Sequence, residues 1–448
     1  MLGAVSCAGG GCESTAARYR PLATANVADI GARTHVRRGK GRSIAARRPT
    51  TATDLSNGFE GRAMSKMKVG MIGGGGPANF FGAPHRRAIL MDNSAELAAG
   101  ALRSNPDEAL ASAKELYFTR GYRDWKSLVA DESKLAVGER VDYVTIVTPN
   151  DAHFGPAEAA AKAGIGVVCE KPLTMNLAEA KSLYQTVKQH KTPFVVAYTY
   201  TAFPMVMFAR RLVLDGAIGE VRKVEAWYPQ GWLASKLETE GQKQASWRVD
   251  PSKAGASGCG GDIGTHAYEF IRFVTGKTAL RVQARLKSFV KGRALDDDFT
   301  VLAELDGDAV ATIAASQITI GAQNDNGFRV SGTKGTIEWS ITEHNALKHL
   351  EAGSPVKIYR LGAEYGYIPE SIKPYVRVPS GHPEGFHEAL ANLHRTIEWT
   401  IRASRGEKAP KPFELPGIAD GAAGMAFIEA AVASSKQEGA WVPVASIE

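Results

Sequence analysis

One pattern constrains this chain more than any other. Between residues 67 and 198, short apolar runs alternate with segments that read as helices, and the first run ends in a glycine-rich turn. Val69-Gly70-Met71-Ile72 leads into Gly73-Gly74-Gly75-Gly76-Pro77-Ala78. A helix is expected over 79–91, a strand over Leu97–Leu102 and a helix from about Pro106. Val141–Val147 reads as a buried strand, 152–163 as a helix, Ile165–Cys169 as a strand, 176–190 as a helix and Phe194–Ala197 as a strand. Such βαβ alternation predicts a parallel, doubly wound sheet. Ligands in these sheets bind past the carboxyl ends of the strands. Gly73–Ala78, Thr148-Pro149-Asn150 and Glu170-Lys171-Pro172 all fall there.

The turn fits G-x-G-x-x-A after a strand, with Gly73, Gly75, Gly76 and Ala78 as its small residues. Glycines allow a tight turn and let backbone N–H groups approach a pyrophosphate, which the next helix meets with its N-terminus. A glycine run also serves as a plain loop, and Pro77 is unusual inside the motif. An acid at the end of the second strand normally holds the ribose of NAD. Here the stretch reads Leu102-Arg103-Ser104-Asn105. The expectation is therefore NAD or NADP with a lean to NADP, Arg103 and Ser104 meeting a 2′-phosphate. The competing reading makes Arg103 a solvated surface residue.

The length of 448 residues implies more than one domain, because single cores rarely grow past about 250–300 residues. The formal charge of +7 has one address: residues 1–50 hold nine basic side chains against two acidic ones, so the remainder sums to zero. This argues against a nucleic-acid partner, which calls for a basic stripe on the fold itself. No apolar run approaches the ~20 residues needed to cross a bilayer. Four cysteines give no disulfide framework: Cys7 and Cys12 lie in the basic stretch, and Cys169 and Cys259 are isolated. A reducing compartment follows, and a cytoplasmic location is expected. Residues 1–66 are expected to be a disordered basic extension. They read either as an organellar transit peptide, which would imply import, or as an upstream extension ahead of Met64 or Met67.

Several separated segments together resemble the Gfo/Idh/MocA family of sugar and cyclitol oxidoreductases. They are Gly73–Ala78, Thr148-Pro149-Asn150-Asp151-Ala152-His153, Glu170-Lys171-Pro172, Trp247-Arg248 with Asp250-Pro251, and Gly260-Gly261-Asp262-Ile263-Gly264-Thr265-His266. The resemblance runs from about residue 67 to the C-terminus. The family usually has Asp three residues after the histidine; here Glu269 stands there. The resemblance implies a Rossmann domain over 67–198, then an α/β domain over 199–448 with a large, mostly antiparallel open sheet, often used to form dimers or tetramers. Independently, 219–231, 280–291, 299–306, 308–319 and 327–340 are β-rich, with turn signals at Asp306-Gly307-Asp308 and Gly332-Thr333-Lys334-Gly335.

Oxidising a secondary alcohol needs a base for the hydroxyl proton and a cation for the developing alkoxide, while a nicotinamide takes the hydride. Lys171 is placed to be the cation. Asp262 and His266 are four apart, which on a helix puts them on one face. Asp262 is then expected to orient the imidazole and His266 to take the proton. By resemblance these three are the family's catalytic lysine, aspartate and histidine. Thr148, Pro149, Asn150, His153, Glu170, Trp247 and Arg248 are expected around the cofactor. Tyr200 and, by weak resemblance, His382 are expected near substrate. Blander roles stand beside these: Lys171 paired with Glu170, Asp262 as a helix cap, His266 as a core histidine, Trp247 and Arg248 as a buried tryptophan with a salt-bridged arginine. A metal site is rejected for want of a third ligand at suitable spacing. No paired arginines suggest an anionic substrate, so a neutral polyol fits better, with aromatics such as Tyr198, Tyr228 and Trp232 available to stack on a ring. The expected activity is an NAD(P)-dependent dehydrogenase or reductase. An NAD-dependent glycosidase and a nucleotide-sensing regulator, both known in the family, are the alternatives.

Overall fold

In this computed structural model, which describes residues 65–447, the glycine-rich turn sits at the carboxyl end of the central strand of a parallel sheet. The basic extension, with Cys7, Cys12 and the boundary at Met64, lies outside the described residues apart from Ser65 and Lys66. The strands are β1 (Met67–Gly73), β2 (Ala95–Ala101), β3 (Arg120–Gly121), β4 (Tyr143–Val147), β5 (Gly166–Cys169) and β6 (Phe194–Val196). They lie in the order β3-β2-β1-β4-β5-β6, and every neighbouring pair is parallel. The crossovers are α1 (Gly82–Met91), α2 (Pro106–Glu115), α3 (Trp125–Glu132), α4 (Phe154–Lys162) and α5 (Leu177–His190). Helices on the faces cover both sides of the sheet, which is why its central strands are mostly apolar. Val69, Val144, Ile146, Val167 and Val168 are fully buried.

Helix α1 starts three residues later than expected. Asn79 Oδ1 accepts the N–H groups of Phe81 and Gly82, capping the chain before the helix begins. The delay changes which small residue makes the close contact with the glycine loop. Ala78 is exposed. A Cβ on Gly82 would lie 2.1 Å from the Gly74 carbonyl oxygen and 2.6 Å from its Cα. The packing role that the motif assigns to Ala78 therefore belongs to Gly82.

The second sheet holds nine strands in the order β14-β13-β12-β11-β7-β10-β9-β8-β15. They are β7 (Val221–Pro229), β8 (Ala279–Lys287), β9 (Asp298–Leu305), β10 (Ala309–Ser316), β11 (Gly327–Gly332), β12 (Gly335–Ser340), β13 (Ala346–Glu351), β14 (Lys357–Arg360) and β15 (Val442–Pro443). All pairs are antiparallel except β7 with β10. The turn at Thr333-Lys334 divides the expected run 327–340 into β11 and β12. Alternation decides the buried face. Phe299, Val301, Ala303 and Leu305 of β9 point inward, whereas Thr300 and Leu302 are exposed.

The inner face is covered by α6 (Pro204–Leu214), α9 (Thr265–Thr275) and, later in the chain, α11 (Ile418–Lys436). Two short helices, α7 (Lys243–Arg248) and α8 (Pro251–Ala254), lead into a π-helical turn at Gly260–Gly264 that runs directly into α9. Helix α10 (Phe386–Ser404) returns to the first sheet and packs on α1 and β5. No helix among the described residues is long and apolar enough to cross a membrane.

The contact of Gly82 with Gly74 gives a test of the loop's packing. Overpacking typically costs about 1–3 kcal/mol. Gly82→Ala is expected to lose stability of that order, read as a lower midpoint in denaturant unfolding. Substitution at exposed Ala78 by Ser is expected to leave the midpoint unchanged.

Candidate active site

The carboxyl end of β5 delivers Glu170 and Lys171, and the π turn delivers Asp262, to one cavity of about 440 Å³ between the two sheets. Lys171 Nζ donates to the Asp262 carbonyl oxygen at 2.7 Å and to Oδ1 at 3.0 Å. Asp262 Oδ2 accepts from Arg248 Nε at 3.1 Å and from Gln317 Nε2 at 2.9 Å. Burial alone would raise the Asp262 carboxyl, but the Arg248 and Lys171 cations overcome it and hold the group well below the usual carboxylate range.

The turn that carries Asp262 is anchored from below. Asp296 accepts the N–H groups of Gly258 and Gly260 at 2.8 and 2.9 Å, and the Ser257 hydroxyl at 3.0 Å. Glycine is required at 260, because a Cβ there would lie 2.4 Å from Ser257 Oγ and 2.5 Å from the Phe299 ring.

His266 lies one turn further on, at the start of α9. Its ring meets three tyrosine rings, with centroids 4.9 Å from Tyr200, 5.7 Å from Tyr198 and 5.9 Å from Tyr228. The expected bond from Asp262 to the imidazole is replaced: both carboxylate oxygens are engaged by Lys171, Arg248 and Gln317. Burial, and next the Lys171 cation, push the His266 imidazole well below its ordinary value, while Asp262 opposes them. His266 is therefore neutral. The Tyr200 and Tyr228 hydroxyls are 2.5 Å apart. Burial pushes Tyr200 up to about 12 and Tyr228 well above its ordinary value, so both hydroxyls stay protonated.

The residues expected around a nucleotide converge on the first sheet's carboxyl edge. Gly73, at a φ of 80°, lies against the Val147–Thr148 segment, where a Cβ would be 2.7 Å from Thr148 Cγ2. Arg86 Nη1 and Nη2 donate to the carbonyls of Gly74 and Gly76 at 2.8 Å each, pinning the loop. His153 ring nitrogens lie 2.9 Å from the Pro172 carbonyl and 3.0 Å from that of Thr148, which ties the β4 and β5 loops together. Asn150 Nδ2 donates to the Ala254 carbonyl, fastening α8 to this edge. Pro149 precedes Asn150 in the same loop. Arg103 flanks the glycines, its Cγ 2.8 Å from where a Gly75 Cβ would stand, and its Nε donates to Ser112. Ser104 is exposed beside it. A strand-end loop that admits no Cβ, with a guanidinium at its outer rim, fits a nicotinamide dinucleotide.

Other expectations land elsewhere. His382 is exposed, bonds the Pro379 carbonyl and does not line the cavity. Trp247 does not line it either. Its ring supports Arg248, whose guanidinium carbon is 4.2 Å from the ring centroid. Lys171 bonds Asp262, and Glu170 instead pairs with His85 at 2.9 Å. Glu269 is buried on α9 near Arg272, and burial, then Asp420, push its carboxyl well above the usual range. Sequence reasoning missed Gln317, Gln230 and Asn324. Gln317 directly follows β10 and carried no motif.

Comparison with known proteins agrees with this geometry. Residues 67–198 match the family described as "Oxidoreductase family, NAD-binding Rossmann fold", and residues 206–338 match the "GFO/IDH/MocA C-terminal domain". An uncharacterised oxidoreductase of Bacillus subtilis (strain 168) is 31% identical over 391 residues, covering 85% of this chain and 98% of that one. Levoglucosan dehydrogenase of Pseudarthrobacter phenanthrenivorans is 29% identical over 315 residues, covering 64% and 76%. An inositol dehydrogenase homologue from Azotobacter vinelandii, solved with NAD+, superposes with a TM-score of 0.78 at 31% identity, covering 85% of this chain and 97% of that one. A levoglucosan dehydrogenase solved with NADH and levoglucosan superposes with a TM-score of 0.71 at 26% identity, covering 85% and 100%.

The neutral state of His266 makes a prediction with a definite sign. Its imidazole is expected to titrate below the ordinary value of about 6.5, so it stays neutral through that pH and takes up a proton only on further acidification. Asp262→Asn removes the anion that opposes the shift and is expected to move the titration lower still. Imidazole NMR of both proteins reads it; a wild-type titration at or above the ordinary value would contradict the assignment.

Proposed function

Because this chain belongs to the Gfo/Idh/MocA family of oxidoreductases, we propose that it moves a hydride between NAD or NADP and a secondary alcohol of a sugar, cyclitol or glycoside. The observation that carries the reading is the meeting of a neutral, buried His266 with the Lys171–Asp262 ion pair in one cavity. When bound, the nicotinamide supplies the hydride acceptor. An ammonium has three donors, and Lys171 spends two on Asp262; the third is the one proposed to hold the alcohol oxygen. His266 takes the hydroxyl proton. Asp262 acts by holding Lys171 and Arg248 in place, and its charge favours the imidazolium that forms.

The cavity supports an uncharged, polyhydroxylated substrate. Its charged groups are Lys171, Arg248, Asp262 and Glu170; the first three pair with one another, and Glu170 is hydrogen-bonded to His85. The remaining polar wall is neutral, with Gln230, Gln242, Gln244 and Asn324 beside the two tyrosines. Phe81 and Trp232 offer faces for a sugar ring. The outward face of the nine-stranded sheet exposes Leu302 and Val310, and we assign a homodimer or homotetramer to that face.

Lys171→Ala is expected to lower kcat by roughly 10²–10⁴ while the dissociation constant for the nucleotide stays within about twofold. Nicotinamide absorbance across a panel of sugars, inositols and glycosides reads the first, and tryptophan quenching the second. Unchanged turnover would refute the role. Arg103 supports NADP use. Arg103→Ala is expected to raise KM for NADP about tenfold, the loss of one charge-assisted bond, with KM for NAD little changed. A strong NAD preference in the wild-type protein would overturn this part.

A further inference from the structure

A line of buried polar groups that the chemistry above leaves unused runs from the cavity through the first sheet. Glu170 lines the cavity, and its Oε1 lies 2.9 Å from His85 Nε2. His85 Nδ1 lies 3.0 Å from His394 Nε2, and His394 Nδ1 lies 3.2 Å from the Tyr143 hydroxyl. Tyr143 is 3.5 Å from Glu398 Oε1, and Glu398 Oε2 accepts the Ser94 hydroxyl at 2.8 Å. His85 comes from α1, Tyr143 from β4, and His394 and Glu398 from successive turns of α10. His85, Tyr143, His394 and Glu398 are each at most 3% exposed, whereas Ser94 is half-buried. Buried polar groups are costly unless bonded, and here each is bonded to the next.

Histidine chemistry restricts the line to two arrangements. A neutral imidazole has one N–H and one lone pair. If His85 donates to Glu170, then His394 donates to His85, Tyr143 donates to His394, and Glu398 must carry a proton to donate to Tyr143. If Glu170 carries the proton, every bond reverses and Glu398 is the carboxylate. The two arrangements hold the same number of protons and differ in which carboxyl is protonated and in which nitrogen of each imidazole carries its proton.

We propose that Glu170, His85, His394, Tyr143 and Glu398 form a proton relay that carries the substrate's proton between the cavity and the far side of the nucleotide-binding sheet. The relay rests on the dehydrogenase reading for the origin of that proton. In alcohol oxidation, His266 gives the proton it has taken back to the cavity that both residues line, and the proton binds the Glu170 carboxylate when His85 holds its own proton on Nδ1. Glu170 passes it to His85 Nε2 as His85 Nδ1 gives its own to His394 Nε2. His394 Nδ1 gives its proton to the Tyr143 oxygen as the Tyr143 hydroxyl proton moves to Glu398. Each imidazole and the phenol again holds one proton, but the imidazole protons have changed nitrogen, so both rings return to their starting tautomers before the next turnover, and Glu398 releases one proton to solvent beside Ser94. Carbonyl reduction runs the same steps backwards.

The surrounding charges suit the two ends. Arg402, Arg395 and Asp92 face Glu398, and burial pushes that carboxyl up to about 7. Lys171, His85 and His153 face Glu170; burial works against its charge, but these neighbours hold it below the usual range. Asp142 and Glu398 face Tyr143. His394 faces His85, and burial keeps it neutral.

Imidazole nitrogen NMR of the full chain, from about pH 5 to about pH 9, tests the relay without any turnover. His394 is expected to stay neutral and to move its proton from Nε2 to Nδ1 as Glu398 ionises near pH 7. In Glu398→Gln that change is expected to vanish. A His394 tautomer fixed across the range in the wild-type protein would overturn the relay. Kinetics in weak buffer with an indicator dye give the second arm. Wild-type protein is expected to release its proton in step with nicotinamide reduction. In His394→Phe, release is expected to lag and kcat to fall about tenfold, with KM unchanged. Synchronous release in that variant would also overturn the relay. If the wild-type protein reduced no nicotinamide with any polyol, the dehydrogenase reading would fail and the NMR arm would still decide the relay.

Discussion

Two cations share one carboxylate at the junction of the two sheets, and the rest of the site depends on that arrangement. Lys171 arrives from the parallel sheet, and Asp262 and Arg248 from the second half of the chain. All three side chains are at most 13% exposed. Charges buried this far are tolerated only when paired and hydrogen-bonded, so the cluster forms only when both halves are in register. It keeps Asp262 ionised and lends Lys171 a fixed position, and the Lys171 cation adds to the burial that keeps His266 neutral.

The backbone is shaped to allow this. The Asp262 turn is a π turn held by Asp296 through two N–H groups, and glycine at 260 lets it close on Phe299. The carboxylate it carries is taken by Lys171, Arg248 and Gln317, and the imidazole of His266 is left among tyrosine rings. On the first sheet, Arg86 and the Gly74–Gly82 contact do comparable work by locking the glycine loop.

Much of this was legible in the residues, for local reasons. The strands of the first sheet announce themselves as apolar runs because they are buried on both faces, and the β-rich runs of the second half show as alternation with glycine turns. Helix α11 left no such trace: it is small or apolar on nearly every side, from Ala422-Ala423-Gly424-Met425 to Ala430-Ala431-Val432, so it has no stripe to read. Strand β3 is two residues long and exists only through its pairing with β2. At the site, Lys171, Asp262 and His266 were marked by their motifs. Gln317 was not, because a single glutamine after a strand resembles any surface glutamine until the fold aims it at Asp262.

The sequence by itself determined the doubly wound first domain, the β-rich second half and the family, whose likeness implies the mostly antiparallel second sheet, and it marked Lys171, Asp262 and His266 as candidates. These follow from periodicity and from motifs short enough to be read within one element. Only the tertiary structure decided who bonds whom: that Asp262 holds Lys171 and Arg248 rather than His266, that Gly82 and not Ala78 touches the loop, that His382 stands outside the cavity, and that His85 and His394, 309 residues apart, meet behind Glu170. The reason is physical. Hydrogen bonds and ion pairs act over a few ångströms, and the distances between side chains from different elements are set by how those elements pack.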